Sequence, residues 1–196
     1  GVVVLPVDVQ RSHVESGLET SQVRLGLNRI AGLSENGMQA IVRARTAHGP
    51  FTGVEDLAAR AGLKRDDLNA LAAAGALKSL AGNRHQAVWQ TSGYQPMPRL
   101  LSDTRVNEPH VEFSAPTEGQ DLISDYASLG LTLGRHPLEM LRPQLQALGA
   151  KSARELANYR HGQLARAAGL VTHRQRPSTA NGTLFVSLED ETGMIN

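Results

Sequence analysis

Residues 22–80 read QVRLGLNRIAGLSENGMQAIVRARTAHGPFTGVEDLAARAGLKRDDLNALAAAGALKSL. Apolar residues recur at helical spacing on both sides of glycines, which predicts two short helical hairpins in tandem. Each bend has an arginine or lysine nearby in the sequence. Because such a turn can present backbone amides and a helix N-terminus to a phosphate, the stretch predicts a nucleic-acid-binding region.

The first predicted bend lies at Gly32, Leu33 and Ser34, whose backbone amides are candidate phosphate contacts. Ser34 is also the predicted N-cap of the helix that follows. Arg43 and Arg45 lie on that helix, away from its apolar face, and are candidate cations for DNA. The alternative interpretation is an ordinary turn between two helices that binds no ligand.

The second predicted bend lies at Gly62, and Lys64 and Arg65 are its candidate DNA contacts. Asp66 and Asp67 follow directly, and two carboxylates at this position would repel a phosphate. The alternative is therefore that the second hairpin only supports the first. We also expect both carboxylates to lie in the first turn of a helix, where the helix dipole favours them.

The fold class is predicted to be α+β, with a mainly helical region followed by part of a β-barrel. Residues 1–90 are expected to hold short strands and the tandem hairpins. Residues 91–118 contain many prolines and are predicted to be a linker, or an irregular segment packed on a neighbour. A helical connector is predicted at 119–160, and the incomplete start of a barrel at 161–196.

Several helix starts are predicted from capping boxes, in which Ser or Thr is followed three residues later by Glu or Gln. The three pairs are Thr52–Glu55, Thr117–Gln120 and Ser152–Glu155. Asn83 is a further predicted N-cap, and its helix is expected to bury Val88 and Trp89. Another helix begins at Pro137, and its leucines are predicted to form a buried face rather than a stripe that binds a partner: Leu138, Leu141, Leu145 and Leu148.

The last part of the chain changes to the alternating pattern of strands, with Asn181-Gly182 as a hairpin signal. His173, Arg174 and Arg176 cluster before this turn and are candidate contacts to single-stranded DNA. Phe185 follows it and is a candidate to stack on a base, since barrels of this kind bind single strands through cations and aromatic side chains. The alternative for Phe185 is a place in the core.

The composition excludes several classes of function. The chain has 196 residues, a net charge of +1 and no cysteine, which excludes disulfides and thiolate metal sites. Its seven histidines lack the spacing of metal ligands, and neither a Walker motif nor GxGxxG occurs. The apolar start is too short to span a membrane, so we expect a soluble cytoplasmic protein. The start at Gly1 and the end at Asn196 suggest a piece of a longer protein.

Three ordered segments resemble the C-family bacterial DNA polymerases, the polymerase III alpha subunits, and are closest to their error-prone, damage-induced branch. LGLNRIAGLSENGMQAIVRAR and the residues up to HQAVW are similar to the family's helix-hairpin-helix region. LGLTLGRHPLEMLRP is similar to the segment that follows it, and AGLVTHRQRPSTANGTLFVSLEDETGMIN to the start of the family's OB-fold. The resemblance covers nearly the whole chain.

The resemblance implies a division of labour. The hairpin region would hold duplex DNA, and the OB-fold would lie near the single-stranded template. The catalytic aspartates and their magnesium ions are expected before residue 1, so no catalytic residue, metal ligand or cofactor is assigned here.

Accessory mutagenesis proteins are implied partners. Direct binding of a sliding clamp is disfavoured, because QPMPRLL at 95–101 carries two prolines and no aromatic residue. The alternative function is a module that docks accessory mutagenesis or clamp-loading proteins.

Overall fold

A computed structural model describes residues 1–94, 111–177 and 182–196. The chain forms two compact units, Gly1–Leu133 and Gly134–Asn196. Helices predominate in the first unit, and each unit has a small three-stranded sheet. The predicted α+β class is thus confirmed. The helical connector predicted at 119–160 is divided between the two units.

The sheet of the first unit precedes its helices. Strand β1 is Val4–Leu5, β2 is Gly17–Glu19 and β3 is Gln22–Arg24. The order is β1-β3-β2, with β1 parallel and β2 antiparallel to β3. Pro6 directly follows the edge strand β1, which suits a residue that cannot donate a ladder hydrogen bond.

The helices of the first unit pack around one apolar core. Among the described residues of this unit, a 3₁₀ turn at Leu27–Arg29 precedes six helices: α1 Glu35–His48, α2 Val54–Ala61, α3 Arg65–Ala73, α4 Lys78–Ala81, α5 Arg84–Gly93 and α6 Glu118–Leu129. The most deeply buried large side chains are Leu27, Ile41, Leu57, Leu68, Leu71 and Leu77. The core therefore joins α1, α2 and α3 into one body.

The predicted caps are confirmed at four helices. The Ser34 hydroxyl accepts from Gly37 N at α1, and the Asn83 side chain accepts from Gln86 N at α5. Complete capping boxes open α6 at Thr117 and the short helix that follows Ser152.

The capping box predicted at Thr52 and Glu55 is wrong. Helix α2 has Gly53 as its N-cap, and no side chain caps it. The amide of Thr52 donates instead to Asp56 Oδ2 at 2.9 Å. Asp56 is in turn paired with Arg60, whose Nη1 lies 3.0 Å from Oδ2. The ion pair one turn into the helix thus replaces the local cap.

The predicted burial of Val88 and Trp89 is also wrong, because both are exposed. Helix α5 turns Arg84, Ala87 and Thr91 into the protein, at the spacing of one helical face. Val88 and Trp89 therefore point away from that face.

The second unit contains helices α7 Pro137–Ala147 and α8 Ala153–Leu156, and three strands. Strands β4 Leu170–Gln175, β5 Phe185–Asp190 and β6 Gly193–Ile195 form an antiparallel sheet in that order. The predicted pairing of two strands around a hairpin is confirmed. Asn181 of the predicted turn lies outside the described residues, and the assignment to an OB-fold stays a prediction.

The buried leucine face predicted for α7 is wrong for two of its four members. Leu138 is buried, but Leu141 is 50% and Leu148 is 62% exposed. The helix instead buries Leu138 and the side chain of Arg142, four residues apart, with Leu145 partly covered. The ion pairs of Arg142 therefore set the orientation of α7.

Arg142 joins α7 to the end of β5. Its Nε donates to Glu191 Oε1 at 2.6 Å and its Nη2 to Asp190 Oδ2 at 3.2 Å. The hydrogen bond from Arg142 lowers the pKa of Glu191. Burial would raise the pKa of Asp190, but hydrogen bonds from Thr192 and the amide of Ala153, with the charge of Arg142, lower it below its ordinary value. The cluster fixes the strand-end turn against both helices of this unit.

Candidate nucleic-acid interface

In the first hairpin, protein acceptors take three of the amides at or beside the bend, one of which is the amide of Leu33, which donates to Ile30 O at 3.4 Å. Gly32 has φ +82° and makes the turn between the 3₁₀ turn and α1. The amide of Ala31 donates to Ser128 O at 2.8 Å. The amide of Ser34, predicted to contact phosphate, donates to Asp67 Oδ1 at 2.9 Å. Leu33 is buried.

Asp67 fills the position that an anion would take at the start of α1. Its side chain comes from α3, and the residue is only 5% exposed. A Cβ added to Gly37 would lie 3.0 Å from the Asp67 Cγ, so glycine at this position lets the carboxylate approach the helix. A helix N-terminus carries partial positive charge and stabilises a carboxylate. The first hairpin thus contains its own anion.

Arg43 and Arg45 have different surroundings although both lie on α1. Arg43 is exposed. Arg45 donates from Nη1 to Val9 O at 2.6 Å and from Nη2 to Ser12 O at 2.8 Å. Burial lowers the pKa of Arg45, opposed by the charge of Asp8. Arg45 therefore fixes the loop after β1, and a phosphate contact there would require these bonds to break.

The second hairpin presents its turn and helix start to solvent. Gly62 ends α2 in the left-handed conformation, with φ +59° and ψ 39°. Leu63 is buried and anchors the turn, while its amide donates to Ala58 O at 3.1 Å. Lys64 is the N-cap of α3, and its side chain makes no capping bond. Lys64 and Arg65 are both exposed, so cations surround a helix N-terminus without a side-chain cap.

The two carboxylates expected to repel phosphate from this hairpin point to different places. Asp67 turns inward to Ser34, as described above, and only Asp66 is exposed. At the surface of the second hairpin, therefore, only the carboxylate of Asp66 would repel a phosphate. This weakens the alternative in which the second hairpin only supports the first.

Arg60 fixes the connection between α1 and α2. Its Nη2 donates to Ala44 O at 2.9 Å and to Gly49 O at 2.7 Å. Its guanidinium lies over the Phe51 ring, 4.6 Å from the ring centroid. These contacts hold α2, the first helix of the second hairpin, against the end of α1.

The candidate residues of the second unit lie on and just after β4, and on β5. His173, Arg174 and Arg176 are exposed, and Phe185 is 56% exposed, which places it at the surface rather than in the core. Gln175 pairs with Phe185 across the strands, and His173 is two residues before Gln175. Side chains alternate along a strand, so His173 and Phe185 share one face and Arg174 lies on the other.

Metal-binding groups and membrane-spanning helices are both absent from the described part of the chain. It contains no group of three or more His, Asp or Glu side chains placed to hold a metal ion. None of its helices combines the length and apolarity needed to cross a membrane. The segment 95–101, considered for sliding-clamp binding, lies outside the described residues.

Two contacts of this region are not evident in the sequence. Asp67 was grouped with Asp66, although its partner Ser34 is 33 residues away. Trp89 and Phe113 form a ring contact across a comparable separation. Trp89 stands out in the sequence as the one tryptophan, but nothing in the sequence indicates that Phe113 is its partner.

The fold and the hairpins define the class of protein. Residues 1–87 match the family of the helix-hairpin-helix motif. The chain is 55% identical over 93% of its length to the error-prone DNA polymerase of Ralstonia pickettii, and 50% identical over 98% to that of Ralstonia nicotianae. It is 48% identical over its full length to the error-prone DNA polymerase of Burkholderia pseudomallei.

These matches cover 17%, 19% and 19% of the respective relatives, so the chain spans less than a fifth of their length. Nearly the whole chain is therefore homologous to one region of the error-prone DNA polymerases. The resemblance found in the sequence is thereby confirmed.

Proposed function

We propose that this chain binds DNA without sequence preference as part of an error-prone DNA polymerase that acts in damage-induced synthesis. It holds duplex and template for chemistry carried out elsewhere in the polymerase, in the bacterial cytoplasm. The observation that carries the proposal is the second hairpin, where Gly62, Lys64 and Arg65 surround an exposed helix start.

The chemistry of this hairpin suits a phosphate and gives no means of reading bases. First-turn amides of a helix donate toward an anion, and the helix dipole adds favourable charge. Lys64 and Arg65 add two cations. Contacts to phosphate position a protein on DNA but carry no sequence information. Binding at the non-specific level is expected, with a Kd of about 10⁻⁴ to 10⁻⁶ M.

The salt dependence of binding tests this proposal. Each phosphate contact contributes about 0.9 to the slope of log K against log salt for duplex DNA. Fluorescence anisotropy with a labelled duplex should show that Lys64→Ala with Arg65→Ala lowers the slope by about 1.8, equally for unrelated sequences. Arg43→Ala is the matched control, since it removes an exposed cation near the first hairpin. An unchanged slope in the double variant would refute the assignment.

The second unit is proposed to contact the single-stranded template. His173 and Phe185 share one face of the β4–β5 pair, which offers a polar group and an exposed ring together. Arg174 and Arg176 are exposed cations of the same unit. An exposed ring and exposed cations are the two chemistries by which proteins bind single strands, although Arg174 lies on the face opposite Phe185.

A second candidate function is the docking of accessory mutagenesis or clamp-loading proteins. It is favoured by exposed apolar side chains within each unit: Ile123 and Tyr126 lie on α6 of the first unit, and in the second unit Leu141 lies on α7 and Leu148 directly follows it. Large exposed apolar groups mark interaction surfaces when they are contiguous. If Ile123→Ser in the full polymerase abolished damage-induced mutagenesis in cells while DNA affinity stayed unchanged, the docking function would be supported.

A further inference from the structure

An exposed aromatic pair lies on the outer surface of α5. The rings of Trp89 and Phe113 have centroids 5.2 Å apart and planes inclined by 41°. Trp89 is 53% and Phe113 is 36% exposed, and both Val88 and Val111 beside them are exposed as well. Large apolar groups that cluster at the surface of a folded protein indicate a contact surface.

Hydrogen bonds fix this pair in place. The Gln86 side chain, which is buried, donates from Nε2 to Val111 O at 3.0 Å and accepts from Phe113 N at 3.0 Å. Asn83 Nδ2 donates to Phe113 O at 3.0 Å. The backbone that carries Phe113 is therefore bound along α5 before any ligand arrives. A preorganised surface loses less entropy on binding.

The aromatic pair is continuous with the second hairpin. Arg65 Nη2 donates to Ser92 O at 3.3 Å, so the hairpin contacts the last turn of α5. Trp89 and Ser92 are three residues apart, which places them on neighbouring positions about 4.5 Å apart along the helix axis. A ligand with a phosphate at Lys64 or Arg65 can thus present its apolar part to Trp89.

We propose that Trp89 and Phe113 stack with an unpaired DNA base next to the duplex held by the second hairpin. This inference rests on the proposed function and assigns a second component to the same interface. A nucleotide combines the two chemistries seen here, an anion and a flat aromatic group. Bases within a duplex are stacked on one another, so a ring at the protein surface can reach only an unpaired base.

The charge of the neighbourhood selects this occupant over an apolar protein surface. Lys64 and Arg65 are exposed, and Arg65 reaches the last turn of α5, the helix that carries Trp89. Stacking between a base and an aromatic side chain tolerates every base, which agrees with binding that ignores sequence. Loss of one such contact weakens binding by about 5- to 150-fold.

Trp89 is the only tryptophan of the chain, so tryptophan fluorescence reports on this surface directly. The chain is titrated with a duplex that carries a single-stranded overhang, and with a relaxed closed-circular duplex that has no ends. We expect the overhang to quench the fluorescence and the circular duplex to leave it unchanged. Absence of quenching by the overhang at saturation, established by anisotropy, would overturn the inference and assign the surface to a protein.

Substitutions provide the second arm of the test. Trp89→Ala should lower the ratio of the affinity for the overhang duplex to that for the circular duplex by about 5- to 150-fold. Trp89→Phe should retain most of this ratio. Tyr126→Ala, another exposed aromatic residue of this unit, is the matched control. Circular dichroism checks that each variant is folded. An overhang preference unchanged in Trp89→Ala would contradict the inference.

The two proposals fail in different ways. If Lys64→Ala with Arg65→Ala leaves duplex affinity unchanged but Trp89 is still quenched by the overhang, the hairpin function fails and the stacking surface stands. If the double variant loses duplex affinity but Trp89 is never quenched, the hairpin function stands and the stacking surface fails.

Discussion

Asp67→Ala should destabilise the first unit, because Asp67 is the internal anion of the first hairpin. The substitution removes the hydrogen bond to the Ser34 amide at 2.9 Å and the favourable charge at the start of α1. A hydrogen bond to a charged group contributes about 1.5 to 3 kcal/mol, and a charge at a helix end about 0.3 to 1 kcal/mol. Because Ser34 is exposed, water can satisfy its amide, and we expect a loss of about 2 kcal/mol.

The assay is thermal unfolding followed by tryptophan fluorescence, since Trp89 lies in the first unit. For a unit of this size the loss corresponds to a decrease in Tm of roughly 5 to 12 °C. Asp66→Ala is the matched control, because it removes an exposed carboxylate from the next position of the same helix. Equal shifts of Tm for the two variants would refute the role given to Asp67.

Two further substitutions test other parts of the structure. Arg142→Ala should destabilise the second unit by about 3 kcal/mol, since it leaves the buried carboxylate of Asp190 without its cation. The pKa values of Asp190 and Glu191 are lower in the folded than in the unfolded chain. The two carboxylates therefore contribute fully to the free energy of unfolding at a pH above their unfolded pKa values of about 4, and this contribution is lost as the pH falls through their folded pKa values. Acid unfolding, followed by hydrogen exchange of β5, should therefore begin at higher pH in Arg142→Ala, and an unchanged profile would contradict this. Arg45→Ala should cost about 1 to 3 kcal/mol in denaturant unfolding by leaving two backbone carbonyls unpaired, yet keep the wild-type salt slope of DNA binding; a reduced slope would make Arg45 a phosphate contact.

Local signals in the sequence predicted much of the fold. Ser34 and Asn83 cap helices as expected, because an N-cap depends on residues only two or three positions away. The boundary at Gly62 follows from its left-handed conformation, which disfavours other residues. The failure at Thr52 has a tertiary cause, since Arg60 holds the Asp56 carboxylate that takes the Thr52 amide.

The candidate site depended on contacts that the sequence does not display. The sequence predicts both hairpins, but the proposal that the second one contacts phosphate rests on the pairing of Ser34 with Asp67, which are 33 residues apart. The sequence predicts that Trp89 is buried on its helix, whereas the structure exposes it. Trp89 is exposed because the face of α5 that carries Arg84 is turned inward. Arg84 forms ion pairs there with Asp121 and Asp125 of α6, which are distant in the sequence.

We propose that the second hairpin, and not the first, contacts DNA phosphate. A heteronuclear NMR titration of the ¹⁵N-labelled chain with duplex DNA tests this most directly, because it follows each backbone amide. We predict the largest shifts at residues 62–66, where the amides of the turn and of α3 meet the ligand, with little change at residues 32–34. Shifts centred on residues 32–34, with residues 62–66 unaffected, would contradict it.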